Sequence, residues 1–251
     1  MAGETGAVRI AMWSGPRNIS TAMMRSWEAR GDCAVVDEPF YAHYLKTTGL
    51  EHPGAAEVIA QHETDPARVI AFLTGPVPGG RAVFYQKHMC HHMLPAVPLD
   101  WLGKVRHCML LREPRRMLIS LAKVTPNPTL DDTGLPQQER LYDEIAERTG
   151  APPPVFDSAD ILADPPRALR AMCESLGVEY TDRMLAWPPG RRASDGVWAE
   201  HWYANVERST GFDPPRESTD ELPTRLTALL RECERIYQRL RSLSPWGRGS
   251  G

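Results

Sequence analysis

No stretch of this 251-residue chain approaches the roughly 20 consecutive apolar residues that span a bilayer, so no membrane partner is expected. The opening Met1-Ala2-Gly3-Glu4-Thr5-Gly6 lacks a basic segment and an apolar core, which argues against a secretory signal. Cysteine is scarce: five residues, at 33, 90, 108, 173 and 233, form no C-x-x-C pair. An odd, scattered set suits a reducing cytoplasm better than a disulfide framework. Charge is close to balanced at a formal −3, so no global field attracts a nucleic acid. Internal repeats and Ser/Gly-rich linkers are also missing, and the 23 prolines are spread through loops. What remains is 42% apolar residues, enough for one substantial core. A single domain over residues 1–251 is expected, and nothing in the sequence excludes a homo-oligomer.

Short apolar runs alternate with helical patterns. Strands are predicted at 7–13, 33–37, 82–86, 104–111 and 154–156. Helices are predicted near 20–30, 54–61, 88–94, 114–124, 136–149, 165–176 and 223–243, the last packing on the domain through Leu226, Leu229, Leu230, Cys233, Ile236, Tyr237 and Leu240. Near-continuous apolar strands separated by helices imply an α/β fold, with a mostly parallel central sheet flanked by helices. In such folds ligands lie outside the carboxyl ends of the strands, so the loops after the first four strands are the places to look for chemistry.

The first of these loops reads Trp13-Ser-Gly-Pro-Arg-Asn-Ile-Ser-Thr21, between a strand and a helix. A nucleotide P-loop counted from Gly15 would need Gly at 20 and Lys at 21, where Ser20 and Thr21 stand. Without the lysine that reaches β- and γ-phosphates, ATP or GTP hydrolysis is disfavoured. A P-loop-like seat remains: a helix N-terminus, two hydroxyls and Arg17 in the turn, suited to a terminal phosphate or phosphosulfate. An ordinary capped helix after a tight turn would read the same way. In Leu110-Leu-Arg-Glu-Pro-Arg-Arg-Met-Leu-Ile-Ser120, an arginine leaves a strand end and Pro114 opens a helix. Ser120 follows Arg112 by eight residues, so the two converge on one anion if the helix folds back.

In order along the chain, these stretches resemble the sulfotransferases that use 3′-phosphoadenosine 5′-phosphosulfate (PAPS). Residues 157–177 and the basic, glycine-containing 190–202 are similar to later parts of that family, so the likeness covers about 8–212. The nearer likeness is to divergent bacterial enzymes acting on small molecules. The resemblance implies that Arg17, Asn18, Ser20 and Thr21 bind the 5′-phosphosulfate, with Arg17 on the transferring sulfonate. It assigns Arg112 and Ser120 to the 3′-phosphate, and Arg191, Arg192 and Gly196 to a loop closing over it. The product would be adenosine 3′,5′-bisphosphate, and no metal is expected. Ile19 stands where the family usually has glycine, and Ala22 where the cytosolic aryl and steroid enzymes stack a tryptophan on adenine; Trp27 or Trp198 would have to replace it.

Sulfonyl transfer to an alcohol needs a base on the acceptor and positive charge on the sulfonate. Asp37 and Glu38 end the second strand, and Glu38-Pro39 resembles the Glu-Pro of bacterial and carbohydrate sulfotransferases, where glutamate is the base. A structural ion pair would look similar. The run Tyr85-Gln-Lys-His-Met-Cys-His-His-Met93 offers Lys87 as a charge-neutralising group and His88 as a rival base. On a helix, His88 and His92 would lie one turn apart, a spacing that could ligate zinc. No glutamate completes an H-E-x-x-H pattern, and no metal is assigned. The expected activity is sulfonate transfer from PAPS to a hydroxyl of a small-molecule acceptor. The rivals are a P-loop-like kinase and a non-catalytic nucleotide-binding module.

Overall fold

The computed structural model describes residues 6–214 and 220–244, and the predicted helix at 223–243 falls within the second span. Five strands, β1 (Val8–Ser14), β2 (Cys33–Asp37), β3 (Val83–Met89), β4 (Arg106–Leu111) and β5 (Val155–Asp157), form one sheet in the order β2-β3-β1-β4-β5. Every pairing is parallel. Ten α-helices connect or cover the described strands: α1 (Ser20–Glu28), α2 (Tyr41–Thr48), α3 (Ala55–Gln61), α4 (Pro66–Thr74), α5 (Pro114–Leu121), α6 (Leu135–Thr149), α7 (Ser158–Ala163), α8 (Pro165–Ser175), α9 (Ala199–Trp202) and α10 (Thr227–Ser242). The predicted α/β class with a parallel sheet is therefore the observed one.

Alternation along β1 feeds two cores. Ala11 and Trp13 face α4, α5, α6 and α10, while Ile10 and Met12 face Met23, Met24 and Trp27 of α1 and Leu169 and Met172 of α8. Both faces are covered, which is why the strands lack a polar-out alternation. Local chemistry fixes the helix starts. The Glu113 carboxylate accepts from the Arg115 and Arg116 amides, with Pro114 in the first turn of α5. Asp65 and Asp164 cap α4 and α8 in the same way.

The predicted helix at 88–94 is not there. β3 continues through Met89, paired with β1 in register Trp13↔His88, and only Cys90–His92 form a 3₁₀ turn. Gln86, Lys87 and His88 look like the end of a strand because they are polar, yet all three are buried with partners. Helical spacing of His88 and His92 is thereby lost.

The strand order places a topological switch point between β1 and β4. The chain leaves β1 towards β2 and leaves β4 towards β5, in opposite directions, which opens a crevice at their carboxyl ends. The loops that enter it carry unusual backbone. Among the described residues, Arg17 (φ 55°) and Glu38 (φ 41°) are the non-glycine residues with positive φ. They follow β1 and β2, and a side chain at such φ costs about 1–2 kcal/mol. Glu38→Gly should therefore be more stable than Glu38→Ala by about 1 kcal/mol, against the ordinary preference for alanine. Urea denaturation of the two variants measures this, and an alanine variant of equal or greater stability would contradict the strain.

Candidate active site

A cavity of about 1110 Å³ occupies the carboxyl end of the sheet, lined by the loops after β1, β2, β3 and β4 and by residues 202–214. Its cationic end lies at the switch point. Gly15 turns the chain out of β1 where a side chain would not fit, since a Cβ there would meet the Thr133 carbonyl oxygen at 2.8 Å. Asn18 ties the loop down: its Nδ2 donates to the Leu110 carbonyl at 3.1 Å, and its Oδ1 accepts from the Ile19 amide at 2.8 Å. Helix α1 then opens at Ser20 with no side chain capping it, so its first N–H groups face the cavity beside Ser20 and Thr21. Ile19 adopts φ −87°, which asks for no glycine.

Arg17, Arg112 and Ser120 line the same cavity, with Ser120 bonded to Arg17. Arg17 Nε donates to Ser120 Oγ at 2.9 Å, and the Arg112 guanidinium donates to the Arg17 carbonyl. Arg116 adds a third cation to the same wall. None of the three makes an ion pair among the described residues. Burial lowers the proton affinity of Arg17, and burial together with Arg17 and Arg116 lowers that of Arg112. Like charges crowded against an uncapped helix N-terminus make an anion site.

The opposite wall holds a buried carboxylate network. Lys87 Nζ donates to Asp37 Oδ1 at 2.8 Å, Glu38 Oε1 at 2.6 Å and Tyr203 Oη at 2.6 Å. Burial disfavours the lysine charge, but Asp37 and Glu38 outweigh it and hold the ammonium well above the ordinary lysine range. Burial pushes the Glu38 carboxyl up, Lys87 offsets this in part, and Asp37 adds to it. Glu38 lines the cavity next to His92, whose Nδ1 is 4.0 Å from Glu38 Oε2. A carboxylate of raised proton affinity, half-secured by a lysine, suits a general base.

Several expected residues stand elsewhere. His88 does not reach the cavity: it is buried, stacked on Trp13 at 4.4 Å, with its proton affinity lowered to about 3 by burial and His107. His91 and His92 from the same run do line the cavity. Lys87 has no donor left for a sulfonate, because all three are taken. Arg191 is exposed outside the cavity, and Arg192 pairs with Glu28 at 2.9 Å. The Gly196 amide donates to Asp37 Oδ2 at 3.2 Å. Trp27 and Trp198 are buried away from the cavity. Asn205, Ser209, Gly211 and Phe212, which no sequence expectation covered, also line the cavity. The hydroxyl-and-glycine run Ser209-Thr210-Gly211 is a signal for them, shortly after 190–202.

A sequence model described as a sulfotransferase domain matches residues 8–242. Two curated Arabidopsis thaliana proteins, branched-chain-amino-acid aminotransferase-like proteins 2 and 1, are 33% identical over 233 residues and 35% over 234 residues. The alignments cover 92% and 93% of this chain but 41% of each relative, so the chain spans less than half of their length. Among solved structures, the sulfotransferase domain of the Synechococcus olefin synthase superposes with a TM-score of 0.56 at 16% identity, covering 95% of this chain and 98% of that one. The sulfotransferase from Alicyclobacillus acidocaldarius gives 0.52 at 12% identity, covering 95% and 96%. Those two likenesses concern the fold. With the family match spanning nearly all of the chain, and the sheet and its phosphate-type loop agreeing with it, this chain belongs to the sulfotransferase domain family.

Proposed function

We propose that the chain transfers a sulfonate from PAPS to a hydroxyl of a small-molecule acceptor. The observation that carries this is the cluster of Arg17, Arg112 and Arg116, without carboxylate partners among the described residues, against the open N-terminus of α1. The cavity, at about 1110 Å³, exceeds the usual 300–1,000 Å³ of a single-ligand pocket, which leaves room for donor and acceptor together. In this reading Ser20 and Thr21 hold the 5′-phosphate, and Arg112 and Ser120 the 3′-phosphate. Ile19, Ala22 and Phe212 form an apolar wall fit for adenine. The five free cysteines support a cytoplasmic setting.

Glu38 Oε2 takes the proton of the acceptor hydroxyl as its oxygen attacks sulfur from the side away from the 5′-phosphate. The bond between sulfur and the bridging oxygen breaks, and its electron pair leaves on the phosphate. Arg17 and the first N–H groups of α1 meet that growing charge, which no Walker lysine or magnesium is needed to hold.

A thermal-shift screen tests the donor first: PAPS and adenosine 3′,5′-bisphosphate should raise the melting temperature without metal, and ATP should not. Calorimetry should find the bisphosphate far tighter than AMP, with Arg112→Ala weakening it at least about tenfold, the loss of one charge-assisted contact. Equal affinity for AMP and the bisphosphate would overturn the 3′-phosphate assignment.

Arg17→Ala separates binding from chemistry. Its kcat should fall about 10²–10³-fold, as when one charge-stabilising donor is removed, while bisphosphate affinity changes less. Glu38→Gln should lose about 10²–10⁴-fold in kcat and keep donor affinity. The wild-type rate should rise with pH through an acid limb above the ordinary carboxylate range, because Glu38 works only when deprotonated and burial raises its proton affinity. A Glu38→Gln enzyme with a normal rate would remove Glu38 as the base.

A further inference from the structure

We propose that Tyr203 and Asp37 are positioning residues that act through Lys87 to make Glu38 a one-sided base, with Oε1 held and Oε2 left to take the proton. The idea rests on the sulfotransferase reading only for where that proton comes from. Tyr203 follows α9, far along the chain from β2 and β3, yet its hydroxyl completes their network. It accepts from Lys87 Nζ at 2.6 Å and from Trp198 Nε1 at 3.2 Å, and it donates to Asp37 Oδ2 at 2.6 Å. A tyrosine hydroxyl offers one donor and two acceptors, and all are used.

Asp37 is equally committed. Oδ1 accepts from Lys87, and Oδ2 accepts from Tyr203 and from the Gly196 amide at 3.2 Å. Lys87 spends its three protons on Asp37, Tyr203 and Glu38 Oε1. Among the described residues, Glu38 Oε2 alone in this group makes no hydrogen bond. The ammonium therefore anchors Oε1, and the free oxygen is the one on the His92 side. Two backbone devices agree with this: Glu38 is turned by its positive φ, and its amide donates to the Lys87 carbonyl at 2.9 Å.

The charge balance depends on Tyr203. By donating to Asp37 it relieves part of that carboxylate's demand on Lys87, which leaves the ammonium shared with Glu38. The other titratable groups facing the network are Tyr41 on α2, His62 after α3, Tyr85 on β3 and His92 after it. Burial raises both tyrosines and lowers both histidines, so all four stay neutral near pH 7. Glu38, whose carboxyl burial pushes up, is then the group whose titration the two variants are meant to move.

Tyr203→Phe and Asp37→Asn in the full chain move that balance in opposite directions. The phenylalanine leaves Asp37 under-partnered, draws Lys87 towards it, and should shift the Glu38 titration to higher pH. The asparagine removes the repelling carboxylate and leaves Lys87 to Glu38, so the titration should shift to lower pH. Carbon-13 NMR of the Glu38 carboxyl reads both shifts without donor or turnover, so the network is tested even if no alcohol is sulfonated. With turnover, the acid limb of kcat should follow the same two shifts, and Tyr203→Phe should lose about tenfold in kcat, the weight of one hydrogen bond to a charged group. Bisphosphate affinity should be unchanged in both. Shifts in the same direction, no shift in either variant, or rate and bisphosphate binding lost together would overturn the proposal.

Discussion

Taking Lys87 and Asp37 out of water, with Glu38 largely so, costs several kcal/mol per ion, which the pairing of the ammonium with both carboxylates offsets. The pairing is possible because β2 and β3 are adjacent and parallel in register Asp37↔Lys87, which puts the carboxylates beside the ammonium at one level of the sheet. Two carboxylates against one ammonium leave a formal excess of one negative charge in a buried place. That excess holds Glu38 ready to accept a proton. The network thus does two things at once: it ties the carboxyl ends of β2 and β3 together, and it sets the charge of the cavity wall.

The other wall carries the opposite charge for a topological reason. β1 and β4 are neighbours whose following loops depart in opposite directions, so Arg17 and Arg112 meet where the crevice opens. β2 and β3 lie on the far side of β1. A cationic end and a net-negative end therefore face each other across the carboxyl edge of one sheet. An anionic donor placed at the first would present its reactive group towards the second. The cores above and below, built from Trp13 on one face and Trp27 on the other, leave little freedom for either wall to shift.

How much of this could be read beforehand follows from which interactions are local. The five strands were legible because each is a short apolar run, and the anion loop because strand, turn and hydroxyl-rich helix start are contiguous. Arg112 and Ser120 were legible from a spacing of eight on one strand–helix unit. β3 was cut short because its last residues are polar, and their burial depends on partners such as Asp37 and Leu73 that no local rule supplies. The pairing of Arg192 with Glu28, 164 residues away, is likewise beyond any local rule. Helix α2 escapes local rules because Phe40, just before its first residue Tyr41, offers no side-chain cap. Helix α4 did carry a signal, Asp65 before Pro66, that the reading passed over.

The strained residues tie the two walls to folding. Arg17 and Glu38 each stand just beyond a strand end, and each adopts a backbone conformation that glycine would adopt without cost. Elsewhere along the described chain the positive-φ positions are glycines, at 31, 49, 54, 79, 80, 134, 150, 177 and 190. The sequence thus follows the steric rule in its turns and breaks it where a charged side chain must leave the backbone on a particular side. Strain of this size persists only where surrounding contacts over-determine the conformation. Here those contacts are the Arg112 hydrogen bond to the Arg17 carbonyl and the Glu38 amide bond to the Lys87 carbonyl. Arg112 and Lys87 therefore hold the two loops in place, and a substitution at either acts on backbone geometry as well as on charge.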